Sequence, residues 1–188
     1  MPYPLYILLA IPGLILSLWA AFYTKATFAR FAKVRSQRGM SGAEAAAEML
    51  RRNGVRGVEI EPSHGFLSDH YDPASRKLRL SPQVYSGRSL SAIGVACHEA
   101  GHALQHAHNY APLGIRSALV PVTNIGSYLA QILFVIGFLM RLPQLFLLGA
   151  IFFMGAVVFS LVTLPVEWNA TARAKACMVS CGIVSEQE

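Results

Sequence analysis

Cys97-His98-Glu99-Ala100-Gly101-His102-Ala103 lies in a run whose apolar residues, Leu90, Ile93, Ala96, Ala100, Ala103 and Leu104, recur at helical spacing. Residues four apart share a face of an α-helix, so His98 and His102 can each turn a ring nitrogen toward one Zn²⁺, with Glu99 beside the water such an ion activates. Two imidazoles leave the ion short of a third protein ligand and one open position, the pattern of a hydrolytic rather than a structural site. The competing reading is a buried helix that happens to carry two histidines. Ser89 is placed to cap this helix, which is expected to run to about His108. Gly94, Ala96, Ala100, Gly101 and Ala103 would let neighbouring elements approach it closely.

Working outward, the setting is a membrane. The chain has 188 residues, 54% of them hydrophobic and 14% charged, too apolar for an ordinary soluble domain. The expected fold is a mainly α membrane protein with three transmembrane helices and a small β-sheet beside the metal helix, an α+β metalloprotease core. Residues 5–24 form the first span and residues 25–117 a cytoplasmic segment holding the metal helix. A hydrophobic hairpin follows over residues 118–164, turning at Arg141-Leu142-Pro143, and residues 165–188 form a cytoplasmic helix or tail. A cleaved signal peptide fits the first span poorly, because Met1-Pro2-Tyr3-Pro4 supplies no basic flank. Lys25, Arg30, Lys33, Arg35 and Arg38 follow that span without an acid among them. The positive-inside rule then puts the N-terminus outside and the site in the cytoplasm, in a multi-pass protein of the cell membrane. Anionic lipid at the bilayer surface accounts for the net charge of +6, and nucleic acid is not expected as a partner. Cys97, Cys177 and Cys181 fall on the reducing side and are read as small buried residues.

Within the polar segment, Ser41-Gly42-Ala43-Glu44 has the form of a capping box opening a helix that stops at Asn53-Gly54. Val55–Glu61 alternates as a strand does, and Phe66–Tyr71 and Lys77–Ser81 flank the turn former Asp72-Pro73-Ala74-Ser75, predicting a hairpin. His106 continues the stripe of His98 and His102 but lies about 12 Å beyond His98, too far to share its ion. It and His108 are read as surface or helix-end residues. Asn124, Ser127 and Gln131 give the second span a polar face, expected to hydrogen-bond between helices.

Acids after the metal helix are scarce. Glu167, in Leu164-Pro165-Val166-Glu167-Trp168-Asn169-Ala170 directly after an apolar run, is costly there without a partner. That partner is either the metal ion or Arg173. The order of one amino-terminal span, His98-Glu99-Ala100-Gly101-His102, Ala111-Pro112-Leu113-Gly114-Ile115-Arg116, a hydrophobic hairpin and Leu164-Pro165-Val166-Glu167 resembles the YugP-like neutral zinc metallopeptidases of bacterial membranes. Asp69-His70-Tyr71-Asp72-Pro73 and Leu78-Arg79-Leu80-Ser81 extend the resemblance over nearly the whole chain. It implies a gluzincin site akin to that of the HtpX group, with His98, His102 and Glu167 as Zn²⁺ ligands and Glu99 as base. Asn169 departs from it, standing where relatives are expected to carry an Asp that orients a ligand.

The expected reaction is hydrolysis of peptide bonds in unfolded or membrane-associated protein, with His70 and Arg173 as candidate oxyanion donors. An extended substrate would pair with the strand edge at Phe66–Tyr71. The alternative is a membrane scaffold or adaptor, its metal structural or absent. A homo-oligomer or a membrane partner protein is compatible with so few spans. Metal transport is disfavoured, because no span carries a charged residue or a histidine in its middle.

Overall fold

Helix α1 (Tyr3–Phe31) presents a long apolar surface: Leu14, Ile15, Leu16, Leu18, Trp19 and Phe22 are all exposed. The computed structural model describes residues 3–65 and 68–188, with side chains from residue 11 onward in the first helix. Helix α2 (Gly42–Arg52) begins at the expected capping box: Ser41 Oγ accepts from Glu44 N at 3.2 Å, and Glu44 Oε2 accepts from Ser41 N at 2.7 Å. It buries Ala45, Ala46, Met49 and Leu50 against the metal helix.

The first strand is shorter than the alternation at Val55–Glu61 suggests: β1 covers Glu59–Pro62. Gly57 sits at φ +76, a left-handed conformation that an extended strand cannot contain, so pairing starts two residues later. The hairpin forms between β2 (His70–Asp72) and β3 (Lys77–Leu80), around a turn in which Asp72 Oδ1 accepts from Ala74 N at 3.0 Å. Phe66 and Leu67 of the expected strand lie outside the described residues, and Ser68 and Asp69 are not part of the strand. The sheet order is β1-β3-β2, with β1 parallel and β2 antiparallel to β3, which leaves β2 as an edge.

A short helix α3 (Pro82–Tyr85) leads to α4 (Leu90–Ala107), the helix that carries His98 and His102, where Ser89 Oγ accepts from Ala92 N at 3.3 Å. Helices α5 (Ala111–Leu139) and α6 (Pro143–Ser180) form the hairpin, turning through Arg141 at φ 55. Both are long and apolar enough to cross a membrane. Their contact uses small residues: Gly137 and Ala130 on α5 and Gly149 on α6 are buried where the backbones meet. The expected hydrogen-bonding face does not take part. Asn124 and Gln131 are exposed, and among the described residues no hydrogen bond joins Asn124, Ser127 or Gln131 to α6. The reason is phase: at about 100° per residue, Asn124 and Gln131 lie roughly 100° or more round α5 from the stripe of Gly126, Ala130 and Gly137, and Ser127 lies at its margin. Helix α6 is continuous through Pro165, so the second arm of the hairpin and the segment carrying Glu167 are one rod.

Candidate metal centre

The site exists because α4 and α6 touch backbone to backbone. Gly101, inside the histidine pair, faces Ala170: a Cβ on Gly101 would stand 2.6 Å from the Ala170 carbonyl oxygen. On α6, Val166, Ala170 and Ala174 are buried at spacings of four, the stripe that meets α4. The neighbouring face of α6, carrying Glu167 and Thr171, is thereby laid over His98.

Glu167 Oε2 lies 3.0 Å from His98 Nε2 and 3.3 Å from His102 Nε2. One donor atom from each of the three residues falls within 4.8 Å of the others, and the two imidazoles stand nearly perpendicular at 85°. The far nitrogens are also held. His102 Nδ1 is 3.0 Å from Gln105 Oε1, and His98 Nδ1 is 3.1 Å from Thr171 Oγ1. Gln105 is fully buried, and its Nε2 donates to the Val166 carbonyl at 2.8 Å and to Asn169 Oδ1 at 3.0 Å. Its Oε1 is therefore the end that accepts, which puts the proton of neutral His102 on Nδ1 and leaves a lone pair on Nε2. That lone pair faces a carboxylate oxygen, a pair of acceptors that a bound cation, or a second proton on His102, satisfies. Two imidazoles and a carboxylate are a fitting donor set for Zn²⁺, and the contacts to the outer nitrogens are the kind that orient such ligands.

Glu99 points from the adjacent face of α4 toward the sheet, where its Oε2 accepts from the backbone N–H of Tyr71 on the edge strand at 3.2 Å. Burial pushes its carboxyl above the usual carboxylate range, with the neighbouring His102 and His98 opposing. A carboxyl so raised is a stronger proton acceptor than a free one.

The remaining candidates are placed as follows. Glu167 takes Arg116, not Arg173, as its cation: Arg116 Nη2 is 3.1 Å from Glu167 Oε1. Arg173 instead donates from Nε to Asn169 Oδ1 at 2.7 Å and lies 2.8 Å through Nη1 from His108 Nδ1. His70 is exposed, its Nδ1 2.8 Å from the Ser68 carbonyl. His106 is not a plain surface residue, since its Nδ1 meets the Tyr71 hydroxyl at 2.8 Å. Asn169 reaches His102 through Gln105 rather than directly. Cys97, Cys177 and Cys181 are free thiols, and burial pushes the Cys97 thiol up to about 12, out of reach of thiolate chemistry.

Sequence reasoning missed Gln105, Thr171 and Arg116. Gln105 carried a signal, lying three residues past His102 and seven past His98 on the same face. Thr171 carried another, four residues past Glu167. Arg116 carried none, because its partner is remote in sequence.

With this geometry in view, comparison with known proteins is direct. The family described as "Putative neutral zinc metallopeptidase" matches residues 6–188. The chain is 48% identical over 184 residues to the "Putative membrane protease YugP" of Bacillus subtilis (strain 168), covering 98% of this chain and 82% of that protein. No solved structure matches the chain.

Proposed function

The chain belongs to the family of neutral zinc metallopeptidases, with Zn²⁺ as cofactor, and from that premise we propose that it is a membrane-anchored endopeptidase of the gluzincin type. His98, His102 and Glu167 hold the ion, and Glu99 is the general base. The observation that carries this reading is the meeting of the His98 and His102 Nε2 atoms with Glu167 Oε2. When bound, zinc supplies a Lewis acid that acidifies water and polarises a peptide carbonyl.

The rest is the work of the chain's own residues. Gln105 and Thr171 hold the imidazoles in the orientation that aims Nε2 inward. Glu99 takes a proton from the attacking water and returns it to the leaving amine. The outer edge of β2 lies beside Glu99, which holds its Tyr71 N–H, and an extended chain would pair along that edge. Pairing of that kind is open at both ends of the bound segment, which suits cleavage inside a chain and supports unfolded or membrane-adjacent protein as the substrate class. Helix α1 serves as a third crossing, and Lys25, Arg30, Lys33, Arg35 and Arg38 at its inner end set the site in the cytoplasm.

Glu99→Gln tests the reading on the full chain in detergent. Zinc content stays stoichiometric, and hydrolysis of an unfolded protein substrate falls by about 10²–10⁴-fold, the contribution typical of a positioned base. Undiminished hydrolysis refutes Glu99 as the base. If neither the wild type nor the variant hydrolyses protein, the scaffold reading takes its place.

A further inference from the structure

The Glu167 carboxylate is divided between two kinds of partner. Both imidazole Nε2 atoms sit on Oε2, while Oε1 is taken by the Arg116 guanidinium at 3.1 Å. Arg116 comes from the second turn of α5, whereas Glu167 is on α6 and the histidines are on α4. The three sources of the cluster are thus cross-tied at one carboxylate.

We propose that Arg116 is a positioning residue of the metal centre: it occupies Glu167 Oε1, so that the carboxylate presents Oε2 alone to the ion. The proposal rests on Glu167 being a zinc ligand. A carboxylate with both oxygens free can bind a cation through either or through both, and it can rotate between these modes. An ion pair at one oxygen biases the carboxylate against those other modes and leaves the second oxygen aimed at the two imidazoles. The tie also makes an ionised Glu167 tolerable where α6 leaves its apolar run, before any metal arrives. Arg116 and Glu167 are each about a third exposed, so solvent screens the ion pair, whose role is to favour one carboxylate orientation rather than to add stability.

Among the described residues, Arg116 makes no hydrogen bond or ion pair to either imidazole; its charge reaches His98 only through space, and its contact is with Glu167. Arg suits the task better than Lys, because a guanidinium is always charged and less strongly hydrated than an ammonium and so keeps a partly buried ion pair more readily.

The test is the zinc dissociation constant of the full chain in detergent, measured by competition with a chelator, with far-UV circular dichroism to establish folding. Arg116→Gln should weaken zinc about 10–100-fold, as loss of a residue that orients a ligand does. Arg116→Lys should weaken it less, and a role in stability alone would lower the melting temperature without moving the dissociation constant. A folded Arg116→Gln variant that binds zinc as tightly as the wild type overturns the proposal. If that variant does not fold, Arg116→Lys decides in its place: measurable weakening supports the tie, and wild-type affinity overturns it. Glu167→Ala separates the two levels of failure. Zinc lost there but unchanged in Arg116→Gln removes Arg116 only, whereas zinc kept in Glu167→Ala removes Glu167 as a ligand and the proposal with it.

Discussion

Helix α6 lives in two environments. Along its first half Leu147, Ile151, Phe153, Met154 and Leu161 are exposed, and Gly149 marks a close approach to α5. Along its second half Val166, Ala170 and Ala174 are buried against α4, while Glu167, Asn169 and Thr171 engage the metal helix. The two halves share one backbone and a high helical content, yet one is an apolar surface suited to lipid and the other a wall of the site. Helical periodicity alone does not distinguish them. What differs is the partner each half meets, and the small side chain of Ala170 opposite Gly101 lets the second half come close enough to deliver a carboxylate.

The contrast can be broken most severely at Glu167. Glu167→Ala should abolish stoichiometric zinc and lower hydrolysis by roughly 100-fold or more, since even residues that merely orient a ligand cost 10–100-fold. Metal analysis and a protein-hydrolysis assay read it. Next comes the contact that sets the distance between helices. Gly101→Ala puts a methyl against the Ala170 carbonyl, where backbone has to move, and should destabilise the fold by about 1–3 kcal/mol as overpacking does. A thermal melt in detergent detects it, and zinc affinity should fall with it.

A paired substitution sharpens the comparison. Val166→Ala, at a fully buried position, should cost about 1 kcal/mol, while Leu161→Ala, one and a half turns earlier on the exposed face, should stay within about 0.5 kcal/mol. Equal losses at the two sites would mean that the first half of α6 packs against protein.

How much of this could be read from residues alone follows sequence distance. The capping box at Ser41 and the cap at Ser89 depend on neighbours three residues away, and both form as the sequence suggests. The hairpin around Asp72 does as well. The stretch Val55–Glu61 misled, because a period-two pattern does not reveal a left-handed glycine at position 57. Nor does it show that β1 pairs with β3 rather than with the strand next in sequence. The polar face of α5 misled for a related reason: polarity marks a face, but packing is won by whichever stripe lets the backbones approach. Glu167 was singled out by its costly place after an apolar run, and the choice between metal and Arg173 as its partner lay beyond local reasoning.

The sequence by itself determined that His98 and His102 share a helix face and that apolar runs flank the polar segment, since both follow from spacing along one element. Only the tertiary structure decided that Arg116 holds Glu167, that Gln105 sets the proton on His102, and that Asn169 acts at one remove. Arg116 and Glu167, and Gln105 and Asn169, are tens of residues apart, and the bare backbone contact between Gly101 and Ala170 is what lets α6 come close enough to α4 to join the second pair.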